Sequence, residues 1–146
     1  IPCNTAHFFH GDIQAAVKVP VLHIMREVAA RLKGKVKKAG ILASSGTLHT
    51  RLYEDSLTEA GIVALTPAGA DQDEVMNSIY TVKAGDLETG RKLALAAGKK
   101  LVAMGAEAVI AGCTEIPLVL HEGDLPVPVI DATQILAEAC VREALA

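Results

Sequence analysis

The chain has 146 residues, 51% of them apolar (Ala, Val, Ile, Leu, Met, Phe, Trp, Tyr or Cys), and a formal net charge of −3. That is a length for one domain or two small ones sharing a core, with enough apolar surface to exclude disorder. The aromatics are Phe8, Phe9, Tyr53 and Tyr80, and there is no basic excess, which argues against a nucleic-acid partner or an anionic membrane surface.

In chain order the pattern alternates strand and helix. Residues 21–24, after Pro20, read as a short strand. Met25 to Lys33 has helical periodicity and Gly34 as its stop. The basic run Lys33 to Lys38 reads as a solvated turn. Lys37 to Ala43 is a strand ending in Ser44-Ser45-Gly46, followed by a helix over 47–60 and a strand over 62–65. Asp71-x-x-Glu74 reads as a capping box opening a helix to about Ala84. Asp86 to Met104 is a longer helix. Residues 108–112 (AVIAG) are apolar in the manner of a buried parallel strand. Residues 127–130 form another strand, and Asp131-x-x-Gln134 opens a closing helix to about Leu145.

This alternation implies βαβ crossovers and an α/β fold with parallel sheets. The expected division is a four-stranded domain over 35–130, with 1–34 and 131–146 as the remainder of a first α/β domain. No apolar run reaches a membrane span, so no membrane partner is expected. Cys3, Cys113 and Cys140 are far apart, without metal-ligand spacing, so no metal site is expected. The odd cysteine count and the lack of a secretory leader point to a cytoplasmic protein with free thiols. The chain opens on Ile1-Pro2-Cys3-Asn4 without a Met, which suggests a fragment.

Parallel sheets bind ligands at the carboxyl ends of their strands, so the turns after strands and at helix starts carry the chemistry. In Pro2-Cys3-Asn4-Thr5-Ala6-His7, Asn4 and Thr5 are N-cap types, and a cysteine at a helix start is favoured as thiolate. Gly112-Cys113-Thr114-Glu115-Ile116-Pro117 repeats the arrangement, with Thr114 as N-cap and Pro117 in the first turn. Each cysteine read singly is also a plausible small core residue. Together, two thiols in similar turns suggest an acid and a base facing each other across a cleft, as reaction at a stereocentre requires. Ser44-Ser45-Gly46-Thr47 has the hydroxyls and free N–H groups of an anion site, or of plain helix capping. Lys83, in a last helical turn, complements the helix dipole. Cys140 and His23 read as core residues, and His10, His49 and His121 as surface ones. His7 is placed to tune Cys3 or close the pocket.

The pair PCNTAH and GCTEIP resembles the aspartate/glutamate racemase family, in its aspartate branch, and SSGT and the terminal VIDAT extend the likeness along the chain. The resemblance implies two pseudo-symmetric parallel-sheet domains, the first incomplete here. It implies racemisation of aspartate or glutamate by Cys3 and Cys113 without pyridoxal phosphate or another cofactor. It also implies further strand–helix units before Ile1, bearing a glycine-rich turn and an arginine for the distal carboxylate. Asn4, Thr5, Ser45, Gly46, Thr47 and Thr114 would then hold the amino-acid substrate, Lys83 its side-chain carboxylate, and Glu115 a base or the ammonium. A homodimer is a further expectation. Within the same superfamily a hydantoin racemase or maleate isomerase is the alternative, and outside it a non-catalytic α/β binding protein.

Overall fold

The two most apolar strands owe their composition to being covered on both sides. In the computed structural model, which describes all residues from Ile1 to Ala146, β1 (Lys38–Leu42), β2 (Val63–Leu65), β3 (Ala108–Ala111) and β4 (Val129–Asp131) form one sheet. Its order is β2-β1-β3-β4, and every pairing is parallel. Side chains alternate across it with the period of two that a strand imposes. Ala39, Ile41, Ala108 and Ile110 enter one core, and Leu42, Val109 and Ala111 enter the other. Helices α2 (Ile24–Leu32), α4 (Leu52–Glu59) and α7 (Ala132–Ala144) fill the first core. Helices α5 (Ala70–Lys83) and α6 (Leu87–Ala103) fill the second. This is the expected α/β class. Helices α2 and α7, from either side of the strands in sequence, share one core with the sheet and are tied by the Arg142–Glu27 pair at 2.7 Å.

Several expectations need correction. Residues 21–24 are not a strand, because their backbone is engaged by side chains of the preceding segment. Gln14 Oε1 accepts from Val21 N–H at 2.7 Å, and His10 Nε2 lies 2.6 Å from Val21 O. The helix expected over 47–60 is two helices, α3 (Ser45–His49) and α4, broken at Arg51 with φ 56°. Asp71 and Glu74 form no capping box. Gly69 is the N-cap of α5, and both carboxylates pair with Lys100 on α6 instead. Asp131 does cap α7, accepting from Thr133 N–H at 2.8 Å and Gln134 N–H at 3.0 Å. Cys140 is exposed rather than in the core. His23 is buried but not satisfied, since its Nδ1 has no partner.

The topology places the site. From β1 the chain crosses to β2 on one side, then returns past β1 to β3 on the other. A reversal of that kind opens a crevice at the carboxyl ends of the two strands concerned. Leu42 and Ala111 are in register there, and Gly112 N–H donates to Leu42 O at 2.8 Å. The turns that follow β1 and β3 are therefore level with each other. No helix is long and apolar enough to cross a membrane.

Candidate active site

Three segments meet over that crevice. The first is the N-terminal turn, where Cys3 and Asn4 precede a 3-10 helix over Thr5–Phe9, followed by α1 (His10–Ala16). The second is the turn after β1, and the third the turn after β3, where Cys113 to Glu115 precede a short 3-10 helix over Ile116–Leu118. With the end of α5 they enclose a cavity of about 320 Å³. Cys3, Asn4, Thr5, Gly46, Thr47, Lys83, Cys113, Thr114 and Glu115 all line it. Ser45 does not. Its N–H points at Met76 Sδ and its Oγ accepts from Gln72 Nε2 at 3.2 Å, so the hydroxyl belongs to a neighbouring depression. Ser44 takes the place expected of Ser45.

The hydroxyls interlock. Ser44 is the N-cap of α3 and accepts from Thr47 N–H at 3.3 Å. Thr5 and Thr47 share a hydrogen bond between their hydroxyls at 2.8 Å, which joins the N-terminal turn to the turn after β1. Gly46 faces Thr5 at this junction, where a Cβ would make an ordinary contact 3.5 Å from Thr5 Cγ2. Plain capping and a shared hydroxyl cluster thus coexist in one turn.

Asn4 and Thr114 occupy positions where capping was expected, but neither side chain caps a helix. Asn4 is only 4% exposed and gives its Oδ1 to the Tyr53 hydroxyl at 2.7 Å, while its Nδ2 is buried without a partner. Glu115, not Thr114, is the N-cap of the second 3-10 helix, and Thr114 Oγ1 donates to Glu115 Oε2 at 3.0 Å.

The two thiols stand in unlike surroundings. Cys3 is exposed, and its carbonyl accepts from Nδ1 of His7 at 2.9 Å. His7 is buried, and its Nε2 accepts from Ile24 N–H at 3.2 Å. The Leu22 carbonyl lies 3.3 Å from the same Nε2, and the shorter Ile24 contact at Nε2 together with the Cys3 carbonyl at Nδ1 favours a neutral, Nδ1-protonated ring. Burial pulls His7 below its ordinary pKa, although the Cys3 and Leu22 carbonyls push the other way. Cys113 is half-buried and its Sγ–H donates to Glu115 Oε2 at 2.9 Å. Burial first, then the Glu115 hydrogen bond and charge, push this thiol up to about 12. Burial raises the Glu115 carboxyl, but hydrogen bonds from Cys113, the backbone and Thr114, with the charge of Lys83, outweigh it and hold it below its usual range. Lys83 Nζ lies 3.7 Å from Glu115 Oε1, with 55% of its side chain exposed.

Sequence reasoning placed Ser44 in the anion-site turn but picked Ser45 as the binding hydroxyl, and it missed the role of Tyr53 and the apolar wall from Met76 and Ile79. Tyr53 carried one signal: a buried tyrosine needs a partner for its hydroxyl. No group of three or more His, Cys, Asp or Glu is arranged to hold a metal ion.

Known proteins share this layout. A candidate Asp/Glu racemase from Yersinia pestis superposes with a TM-score of 0.87 at 37% identity, over 98% of this chain and 64% of that one. The aspartate racemase of Picrophilus torridus superposes with a TM-score of 0.86 at 29% identity, over 98% of this chain and 60% of that one. The broad specificity amino-acid racemase RacX of Bacillus subtilis is 28% identical over 146 residues, all of this chain and 64% of RacX. This chain thus spans less than two thirds of each of these relatives. The family model for Asp/Glu/hydantoin racemases matches residues 1–140, a stretch that takes in both cysteine turns. The chain belongs to that family.

Proposed function

We propose that the protein interconverts L- and D-aspartate, or a close acidic relative, by two-thiol proton transfer without pyridoxal phosphate. One observation carries the reading: both cysteine turns and the hydroxyl cluster line a single cavity at the switch point of the sheet. The substrate's α-carboxylate lies among Asn4, Thr5, Thr47 and Thr114. Lys83 leaves Glu115 for the side-chain carboxylate, which favours a diacid over a hydantoin.

The chemistry needs one base and one acid on opposite faces of Cα. Cys113 enters as the thiol, since its proton is committed to Glu115 and its pKa is raised. The role of base falls to the other thiol of the cavity, the exposed Cys3. Cys3 takes the α-proton and becomes a thiol. Cys113 gives its proton to the opposite face and is left as the thiolate. The opposite enantiomer runs the same steps in reverse. The α-proton is a weak acid, and the polar groups fixed around the carboxylate lower the cost of the carbanion. Both thiols must be reduced, which fits work in the cytoplasm.

The test is incubation with L-aspartate in deuterated water with no added pyridoxal phosphate. Deuterium at the α-carbon with loss of optical rotation is expected; unchanged rotation with no exchange sinks the proposal. Lys83→Ala separates substrates within it. A charge-assisted contact contributes roughly 1.5–3 kcal/mol, so KM for aspartate is expected to rise about 10- to 100-fold while that for alanine moves little. An equal rise for both would assign Lys83 a structural role only.

A further inference from the structure

Tyr53 has no part in the proton transfer, yet it touches the neighbour of each cysteine. Its side chain is 1% exposed. Its hydroxyl donates to Asn4 Oδ1 at 2.7 Å, one residue after Cys3. Its ring lies against Gly112, one residue before Cys113: a Cβ at Gly112 would stand 3.0 Å from Tyr53 Cε2 and 3.2 Å from Ala43 Cβ. Glycine at 112 is what lets the ring lie under the second cysteine turn. With Oδ1 occupied, the Asn4 side chain makes no cap on its own 3-10 helix.

The backbone before Tyr53 is arranged to deliver it there. Arg51 has φ 56° and is the one non-glycine residue with positive φ. A left-handed arginine is locally unfavourable, and such residues persist where the surrounding packing over-determines them. Here it ends α3 and restarts the chain as α4, with Tyr53 in the first turn and buried in the core beside the sheet. An unbroken helix from Thr47 would send this side chain elsewhere.

We propose that Tyr53 is a positioning residue, whose hydroxyl and ring together set the Cys3 turn against the Cys113 turn. Two proton carriers on opposite faces of one carbon work only at a fixed separation, and small displacements are costly. The catalytic consequence rests on the two-thiol reading above; the structural one does not.

Two variants of the whole chain separate the hydroxyl from the ring. Tyr53→Phe keeps the ring against Gly112 and loses the bond to Asn4. Hydrogen exchange read by mass spectrometry is expected to quicken at least fivefold over residues 4–9, with residues 109–118 as in the wild type. Tyr53→Leu, which removes the ring edge, is expected to quicken both. Tyr53→Phe is also expected to lower kcat for aspartate at least tenfold per folded molecule. Wild-type exchange over 4–9 in Tyr53→Phe would overturn the proposal. So would uniform acceleration along the chain, or an unchanged kcat with only a lower melting temperature, since a mere core residue behaves that way. A wild-type protein that does not racemise aspartate would sink the proposed function, while the exchange pattern still decides the place of Tyr53.

Discussion

The Cys3 and Cys113 turns look alike in sequence, Cys-Asn-Thr beside Cys-Thr-Glu, and differ in how each is held. The Cys3 turn is fixed without its sulfur: His7 grips the Cys3 carbonyl, the Asn4 side chain is pinned by Tyr53, and the thiol is exposed. The Cys113 turn is fixed through its sulfur, which is half-buried and gives its proton to Glu115. Similar turns thus supply a solvent-exposed thiol and a half-buried one whose proton is hydrogen-bonded to a carboxylate. For a two-base reaction that asymmetry is useful, because the pair must hold one proton between them at the start of each turnover.

The largest expected effect comes from removing either sulfur. Cys3→Ser and Cys113→Ser should each abolish racemisation, by roughly a thousandfold or more, because a hydroxyl keeps the size and loses the acidity of a thiol with pKa near ~8.5. Each variant retains one proton carrier. Deuterium uptake measured separately with L- and D-aspartate should therefore show opposite preferences in the two. Near wild-type racemisation by either would break the division of labour between the turns.

Next in size is the carboxylate that distinguishes the second turn. Glu115→Gln removes the charge that raises Cys113 while keeping a side-chain oxygen that can accept from the thiol, and leaves burial, the first cause. The Cys113 thiolate, followed by its ultraviolet absorbance, should then appear below the wild-type value of about 12. Racemisation should fall on the order of 100-fold, the low end of what a lost acid–base contribution costs. A thiolate titration indistinguishable from wild type would show that the Glu115 charge has no part in setting Cys113.

His7 tests how the first turn is held. His7→Ala leaves the Cys3 carbonyl and the Ile24 N–H without this partner, at a cost of about 2 kcal/mol in unfolding free energy. Gln offers both a donor and an acceptor, so His7→Gln should recover part of that loss in denaturant melts. Equal destabilisation by Ala and Gln would mean that the ring acts by packing rather than by its two hydrogen bonds.

Much of this architecture was legible in the sequence, and what was not has identifiable causes. AVIA at 108–111 announced a strand covered on both faces, and Asp131 announced a helix cap; both depend on short-range chemistry. The break at Arg51 left no signal, because no glycine or proline marks it and tertiary packing overrides the local preference. Residues 21–24 have the apolarity of a strand, but their backbone groups meet Gln14, His10 and His7 instead of a neighbouring strand. Cys140 follows Ala139 on α7 and falls just off the stripe of Ala132, Ile135, Leu136 and Ala139 that faces the core, so its apolar neighbours misled. The site residues were legible as motifs, but the pairing of Cys113 with Glu115 and of Asn4 with Tyr53 required three dimensions.

The smallest effect concerns the histidines behind the first turn. His7, His10 and His23 pack with ring centroids 4.9–6.2 Å apart. His23 is pulled down from 6.5 to about 4, by burial first and then by the charges of His7, Arg26 and His10. Unfolding restores the ordinary value, so between about pH 6.5 and 4 the unfolded chain binds a proton that the native one refuses. More protons on the unfolded side means that stability rises with pH across that window and is lost as pH falls through it. The loss should be about 1–2 kcal/mol, read as a lower denaturant midpoint at pH 5 than at pH 7. His23→Leu removes both the titrating group and the unpaired Nδ1, and should flatten that slope without weakening the protein at pH 7. The Cys113 turn has no histidine partner among its hydrogen bonds. A pH 5 loss that persists in His23→Leu would assign the acid sensitivity to another group, with His7, also held below its ordinary pKa by burial, the first to test by His7→Gln.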